Sequence, residues 1–138
     1  MPLMVFLDEA GDHSLDPVDK DFPVFVLVFF LCQQLDYTDV IVPAFTRFKV
    51  DQCGHDGVIL HSRDIRKALG DFSFLQIPER REVFHSDLNR LVREAPFELI
   101  AIAIRKDLHK GRYGTSSRNP YDLALEFGME RLRHTSMS

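Results

Sequence analysis

Three carboxylates, Asp8, Glu9 and Asp12, fall within five residues directly after the apolar run Val5-Phe6-Leu7. A strand that delivers acids at its carboxyl end suits a hard divalent cation such as Mg²⁺ or Mn²⁺, because such ions take oxygen ligands. The same residues also read as a strand entering an acidic, solvated turn in which Gly11 supplies positive φ. Strand alternation would send Asp8 and Glu9 to opposite faces unless the backbone turns between them. Asp8, expected as the last strand residue, is therefore the first choice of ligand. Asp12 is the second, since an Ala10-Gly11 turn can fold it back, and Glu9 is left to anchor the turn or support the ligands.

Further along, His61 emerges from the apolar stretch Val58-Ile59-Leu60, beside Ser62 and ahead of Asp64. An imidazole there can ligate a metal, orient a water or contact phosphate; it reads equally as a hydrogen-bonded structural histidine. The segment from Arg105 to Arg118 is basic, with Arg105, Lys106, Lys110, Arg112 and Arg118 against the single acid Asp107, and with Tyr113 embedded. Cations that hold a phosphate backbone and an aromatic that stacks on a base make it a candidate nucleic-acid contact; a solvated loop is the alternative. Asp107 is a candidate second metal ligand if its strand runs parallel beside the first, and otherwise a loop charge. Cys32 and Cys53 are isolated, and no histidine lies three or four residues from His61, so a zinc site is not expected. Gly-rich phosphate cradles and a Gly-x-Ser-x-Gly elbow are also absent.

The elements that must position these groups follow from periodicity. Leu3 to Leu7 is continuously apolar and predicts a central strand covered on both faces. Pro23 to Leu31 is β-branched and aromatic, predicting a second strand antiparallel to the first. Asp39 caps a predicted helix from Val40 to Gln52, with Pro43 in its first turn and Gly54 ending it. A short strand over Val58 to Leu60 precedes a helix from Ser62 to Leu69, stopped by Gly70. Pro78 opens a helix with an inward stripe of Phe84, Leu88, Leu91, Val92 and Ala95. Phe97 to Ile104 predicts a strand buried on both faces. Asn119-Pro120 starts a last helix, on which Tyr121, Ala124, Leu125, Gly128, Met129 and Leu132 recur at helical spacing. The order of elements is that of an α/β layer fold.

With 138 residues the chain suits a single domain with a real core. A net charge of −4 argues against a uniformly basic nucleic-acid partner, but the ends differ. From Met1 to Asp21 there are six acids against Lys20 alone, while the Arg105–Arg118 stretch is basic. One end suits cations and the other phosphates. Cysteine usage indicates no disulfide framework, and the N-terminus has no basic region before its apolar segment, so a cytoplasmic location is expected. The longest apolar run, Phe22 to Cys32, contains Pro23 and is too short for a bilayer, so no membrane partner is expected.

Taken together, Val-Phe-Leu-Asp-Glu-Ala-Gly-Asp at the start, the apolar second strand, the block Leu60-His61-Ser62-Arg63-Asp64-Ile65 and the late Asn119-Pro120-Tyr121-Asp122-Leu123-Ala124-Leu125 resemble the DUF3800 family, bacterial and phage-associated proteins grouped with ribonuclease H-like folds. The resemblance covers nearly the whole chain in order, and its most specific part is the acidic block. It implies a ribonuclease H-like mixed sheet with flanking helices and a two-metal nuclease-type site, with Asp8, Glu9 and Asp12 in the acidic block and His61 in the histidine block. Members continue past the Asn-Pro-Tyr helix into a further strand and a Gln-x-x-Asp element. Against that pattern the chain would be incomplete at its C-terminus, lacking the last strand and helix. The expected function is thus divalent-metal-dependent cleavage of nucleic-acid phosphodiesters. The alternative is a non-catalytic binding or regulatory module of a defence or mobile-element system, and a homodimer through an exposed sheet edge remains open.

Overall fold

In a computed structural model, which describes residues 2–11, 23–108 and 119–136, the apolar runs become the strands β1 (Leu3–Ala10), β2 (Val24–Gln33) and β3 (Glu98–Arg105). They form a three-stranded antiparallel sheet in the order β1-β2-β3. The pairing of β2 with β3 sets Phe29 opposite Ile100 and Phe30 opposite Leu99. By contacts the chain divides into two compact units: Leu3–Cys32 with Phe97–Ser138, and the segment 33–96 with the first two residues. The first carries the sheet and the second is helical.

The sheet unit closes its core with one helix, here α5 (Pro120–Ser136). Phe25, Leu27, Phe29 and Leu31 alternate along β2 and are buried with Ile104 and Ala124, while Ile100, Ile102, Tyr121, Leu125 and Leu132 pack around them. Gly128 lets the helix approach: a Cβ there would lie 1.9 Å from the Phe29 ring. Met129 falls beyond this stripe and is exposed. The helix starts as its sequence predicts, with the Tyr121 N–H donating to Asn119 Oδ1 at 2.8 Å and Pro120 in the first turn, where its missing N–H costs nothing.

Three strand expectations need correction. β1 is an edge strand, not a central one; its apolar side chains remain exposed, Leu7 by 48%. β3 does not lie beside β1, because β2 runs between them. Only the Ile100, Ile102, Ile104 face of β3 is covered, whereas Leu99 is 57% exposed and Ala101 and Ala103 are open. A continuous apolar run signals a strand but carries no information on how many neighbours it has.

The helical unit is built on a second core of Phe48, Val58, Phe72, Leu75 and Phe84. Phe84 sits at its centre, with ring centroids 5.2 Å from Phe48 and 6.0 Å from both Phe72 and Phe74. The chain enters it through α1 (Gln34–Asp36), a π-helical turn at Tyr37–Ile41, and α2 (Val42–Cys53). Residues 34–53 are helical without a break, so Asp39 lies inside the π turn instead of capping a helix from Val40, and Pro43 follows directly on that turn, whose wider i→i−5 pairing sets the Val42 N–H on the Tyr37 carbonyl. Gly54 ends α2 in the left-handed region at φ 88°, its N–H donating to the Val50 carbonyl. Val58–Leu60 forms no strand, although Val58 is buried. The next helix, α3 (Ser62–Lys67), has His61 rather than Ser62 at its N-cap and ends at Ala68 with φ 53°, before Gly70. A 3₁₀ segment, Gly70–Gln76, leads to α4 (Pro78–Glu94), whose Phe84, Leu88 and Leu91 face the core while Val92 is exposed.

Candidate functional site

β1 runs to Ala10, two residues further than its sequence suggests, so Asp8 and Glu9 both lie inside the strand and alternation applies to them. The Phe6 ring meets Phe30 of β2 at 5.9 Å, edge to face, and Phe30 stacks on Phe97 at 4.6 Å. Phe30 is on the sheet face away from α5, because its neighbours Phe29 and Leu31 belong to the α5 core. Phe6 and Asp8 therefore share the face away from α5. Leu7 and Glu9 face α5, and they line an open pocket of about 240 Å³ with Asp8, Leu27 and Tyr121. Tyr121 is held there by its helix cap and by the Phe25 ring, 6.1 Å away.

Asp8 and Glu9 are exposed, and Asp8 Oδ1 accepts the Glu9 N–H at 2.8 Å. Gly11, just beyond the strand, has φ 87°, a left-handed conformation that glycine adopts without strain. Asp12 lies outside the described residues. So do Lys110, Arg112, Tyr113 and Arg118 of the basic segment.

Because β2 is antiparallel to both of its neighbours, β1 and β3 run in the same direction and end at the same end of the sheet. The expected convergence of Asp8 and Asp107 on adjacent strands does not occur, however. Two strands separated by a third stand about 10 Å apart. Asp107 instead turns to its own chain: Arg105 Nη2 and Nε donate to its two carboxylate oxygens at 2.7 and 3.1 Å. This ion pair holds the Asp107 carboxyl below its usual value, the Arg105 hydrogen bond contributing most, and raises Arg105 in turn. Lys106 is not the surface cation that its sequence context suggests, since its side chain is 1% exposed. Its backbone N–H donates to the Pro23 carbonyl at 2.6 Å, extending the β2–β3 ladder.

His61 belongs to the helical unit, at the head of α3, with Nδ1 3.9 Å from Asp64 Oδ2. Both side chains are exposed, so the contact is a weak surface pair. In the same unit the Cys53 thiol is pushed up, first by burial and then by Asp71, against a smaller opposing effect of Arg80. A thiol so placed is not an activated nucleophile. Among the described residues no group of three or more His, Cys, Asp or Glu side chains could hold a metal ion. No helix among them is long and apolar enough to cross a membrane.

The pocket with Glu9 and Tyr121 is the feature that sequence reasoning missed. Alternation had separated Asp8 from Glu9, but the face that α5 covers was not fixed until the partner of Phe6 was known. Comparison with known proteins gives no matching family model, no matching characterised protein and no matching solved structure.

Proposed function

We propose that the sheet unit is a ribonuclease H-like, divalent-metal-dependent nuclease domain acting on nucleic-acid phosphodiesters, with Asp8 as its principal metal ligand. The observation that supports this reading is the placement of Asp8: an exposed carboxylate near the carboxyl end of β1, at the end of the sheet where β3 also delivers Arg105. The two side chains leave from the same sheet face, since Arg105 is in step with Leu99, the partner of Phe30. An ion held there supplies Lewis acidity and a bound water of lowered pKa. The described residues provide Asp8 but not a complete ligand set. After Glu9, whose side chain faces α5, Asp12 is the next acid in sequence.

A second reading is favoured by that shortage of ligands and by the Arg105–Asp107 pair. In it the chain is a non-catalytic binding or regulatory module that keeps the fold, and its exposed β1 edge pairs with a second copy. The two readings part in a cleavage assay with end-labelled single- and double-stranded DNA and RNA in Mg²⁺ or Mn²⁺. The nuclease reading expects products that vanish in Asp8→Ala. Cleavage equal in the parent and Asp8→Ala proteins would refute it, and the absence of cleavage by the parent would favour the binding module.

A further inference from the structure

The pocket on the α5 side of β1 has a composition that a divalent metal does not explain. Its described lining combines the core residue Leu27 with Leu7, Tyr121 and the two acids Glu9 and Asp8. Among the described residues no cationic side chain lines it and no ion pair engages either carboxylate. A hard divalent ion wants several oxygen ligands and keeps its waters, and two leucines and an aromatic ring serve neither need. Glu9 is the acid whose side chain alternation directs into this space, whereas Asp8 leaves the strand toward the opposite face and contributes to the rim. An anionic group set against apolar and aromatic walls matches a different ligand, a monocation carried on an apolar stem.

We propose that this pocket binds a primary alkylammonium, with Glu9 as its counter-ion, the Tyr121 ring as the aromatic wall beside the cation, and Leu7 and Leu27 against the methylene stem. The site does not depend on the nuclease reading, because its principal acid is Glu9 and that reading rests on Asp8. A free polyamine and a lysine side chain carry the same chemistry. Asn119 has an indirect part: by capping α5 through the Tyr121 N–H it fixes where the ring stands. Exposure of the two acids makes the attraction salt-sensitive.

The test is an amide NMR titration of the full chain with n-butylammonium chloride, spermidine and N-acetyl-lysine methylamide, with 1-pentanol as the uncharged control. Saturable shifts are expected at Leu7, Glu9, Leu27 and Tyr121 with the amines, weakening as NaCl rises, and the tighter of the last two amines identifies the source. Glu9→Gln, a conservative change at an exposed position, should weaken binding about tenfold, equivalent to about 1.4 kcal/mol. Tyr121→Leu should weaken it about threefold, in the range of exposed cation–aromatic pairs. Asp8→Asn should change it by less than about threefold, which separates this site from the metal proposed at Asp8. Shifts that fail to saturate, shifts as large with pentanol, or unchanged affinity in Glu9→Gln would overturn the proposal.

Discussion

Arg105 and Asp107 close a two-point ion pair, with nitrogen–oxygen distances of 2.7 and 3.1 Å, at the end of β3. Each was a candidate for chemistry on its own, Arg105 for phosphate and Asp107 for metal. Paired, they satisfy one another, and any ligand at this end of the sheet must compete with a charge-assisted, forked hydrogen bond.

The pair fixes a pH response. A carboxyl whose folded pKa lies below its unfolded value stabilises the fold above the unfolded value, and that contribution is lost as pH falls through the folded one. For Asp107 the window is therefore the acid side of the ordinary aspartate range. Carbon-13 detection of its carboxyl should place its midpoint below that of a free aspartate. In Arg105→Gln the midpoint should move up toward the ordinary value; an unmoved midpoint would mean that the pair does not hold in solution.

Gly128 and Phe29 set the distance between α5 and the sheet. Ala would gain about 1 kcal/mol of helix propensity over Gly. It would also drive a methyl into a fully buried ring, an overpacking that costs about 1–3 kcal/mol. With a Cβ-to-ring distance of 1.9 Å and Phe29 at 0% exposure, the ring has nowhere to retreat and overpacking wins. Gly128→Ala should lower the urea midpoint, and Phe29→Leu in the same chain should restore part of it. A midpoint equal to or above that of the parent would contradict the packing described.

Local chemistry was the legible part of this chain. Asn119-Pro120 marked the start of α5, Pro78 that of α4 and Gly54 the end of α2, because caps and breakers act within one turn. The alternation of Phe25, Leu27, Phe29 and Leu31 marked a strand with one core face. Long-range order was not legible. Nothing in Leu3–Leu7 tells an edge from a centre, and nothing in Phe97–Ile104 reveals that β2 intervenes. The helical stop also misled: Ala68 takes the left-handed position that ends α3, although Gly70, two residues on, is left-handed too and adopts it more cheaply. For the site, the acidic block and the alternation of Asp8 and Glu9 were visible in the sequence, while which sheet face each takes needed the Phe6–Phe30 contact.

The Asn119 cap offers a separate check on the placement of Tyr121. Replacing an Asn N-cap by Ala costs about 1 kcal/mol. Asn119→Ala should lower stability by that amount, while Asn119→Asp or Asn119→Ser should keep most of it. Amide shifts in Asn119→Ala should concentrate at Tyr121 and along β1 near Leu7 and Glu9. A change in stability without shifts at those β1 residues would place the Tyr121 ring elsewhere.

The claim that Asp8 holds a divalent cation is tested most directly by paramagnetic relaxation. Adding substoichiometric Mn²⁺ to the ¹⁵N-labelled chain should broaden amides in a sphere centred on Asp8, with recovery in excess Mg²⁺ and no such sphere in Asp8→Ala. Broadening that is absent, spread evenly over the surface acids, or unchanged in Asp8→Ala would contradict the account.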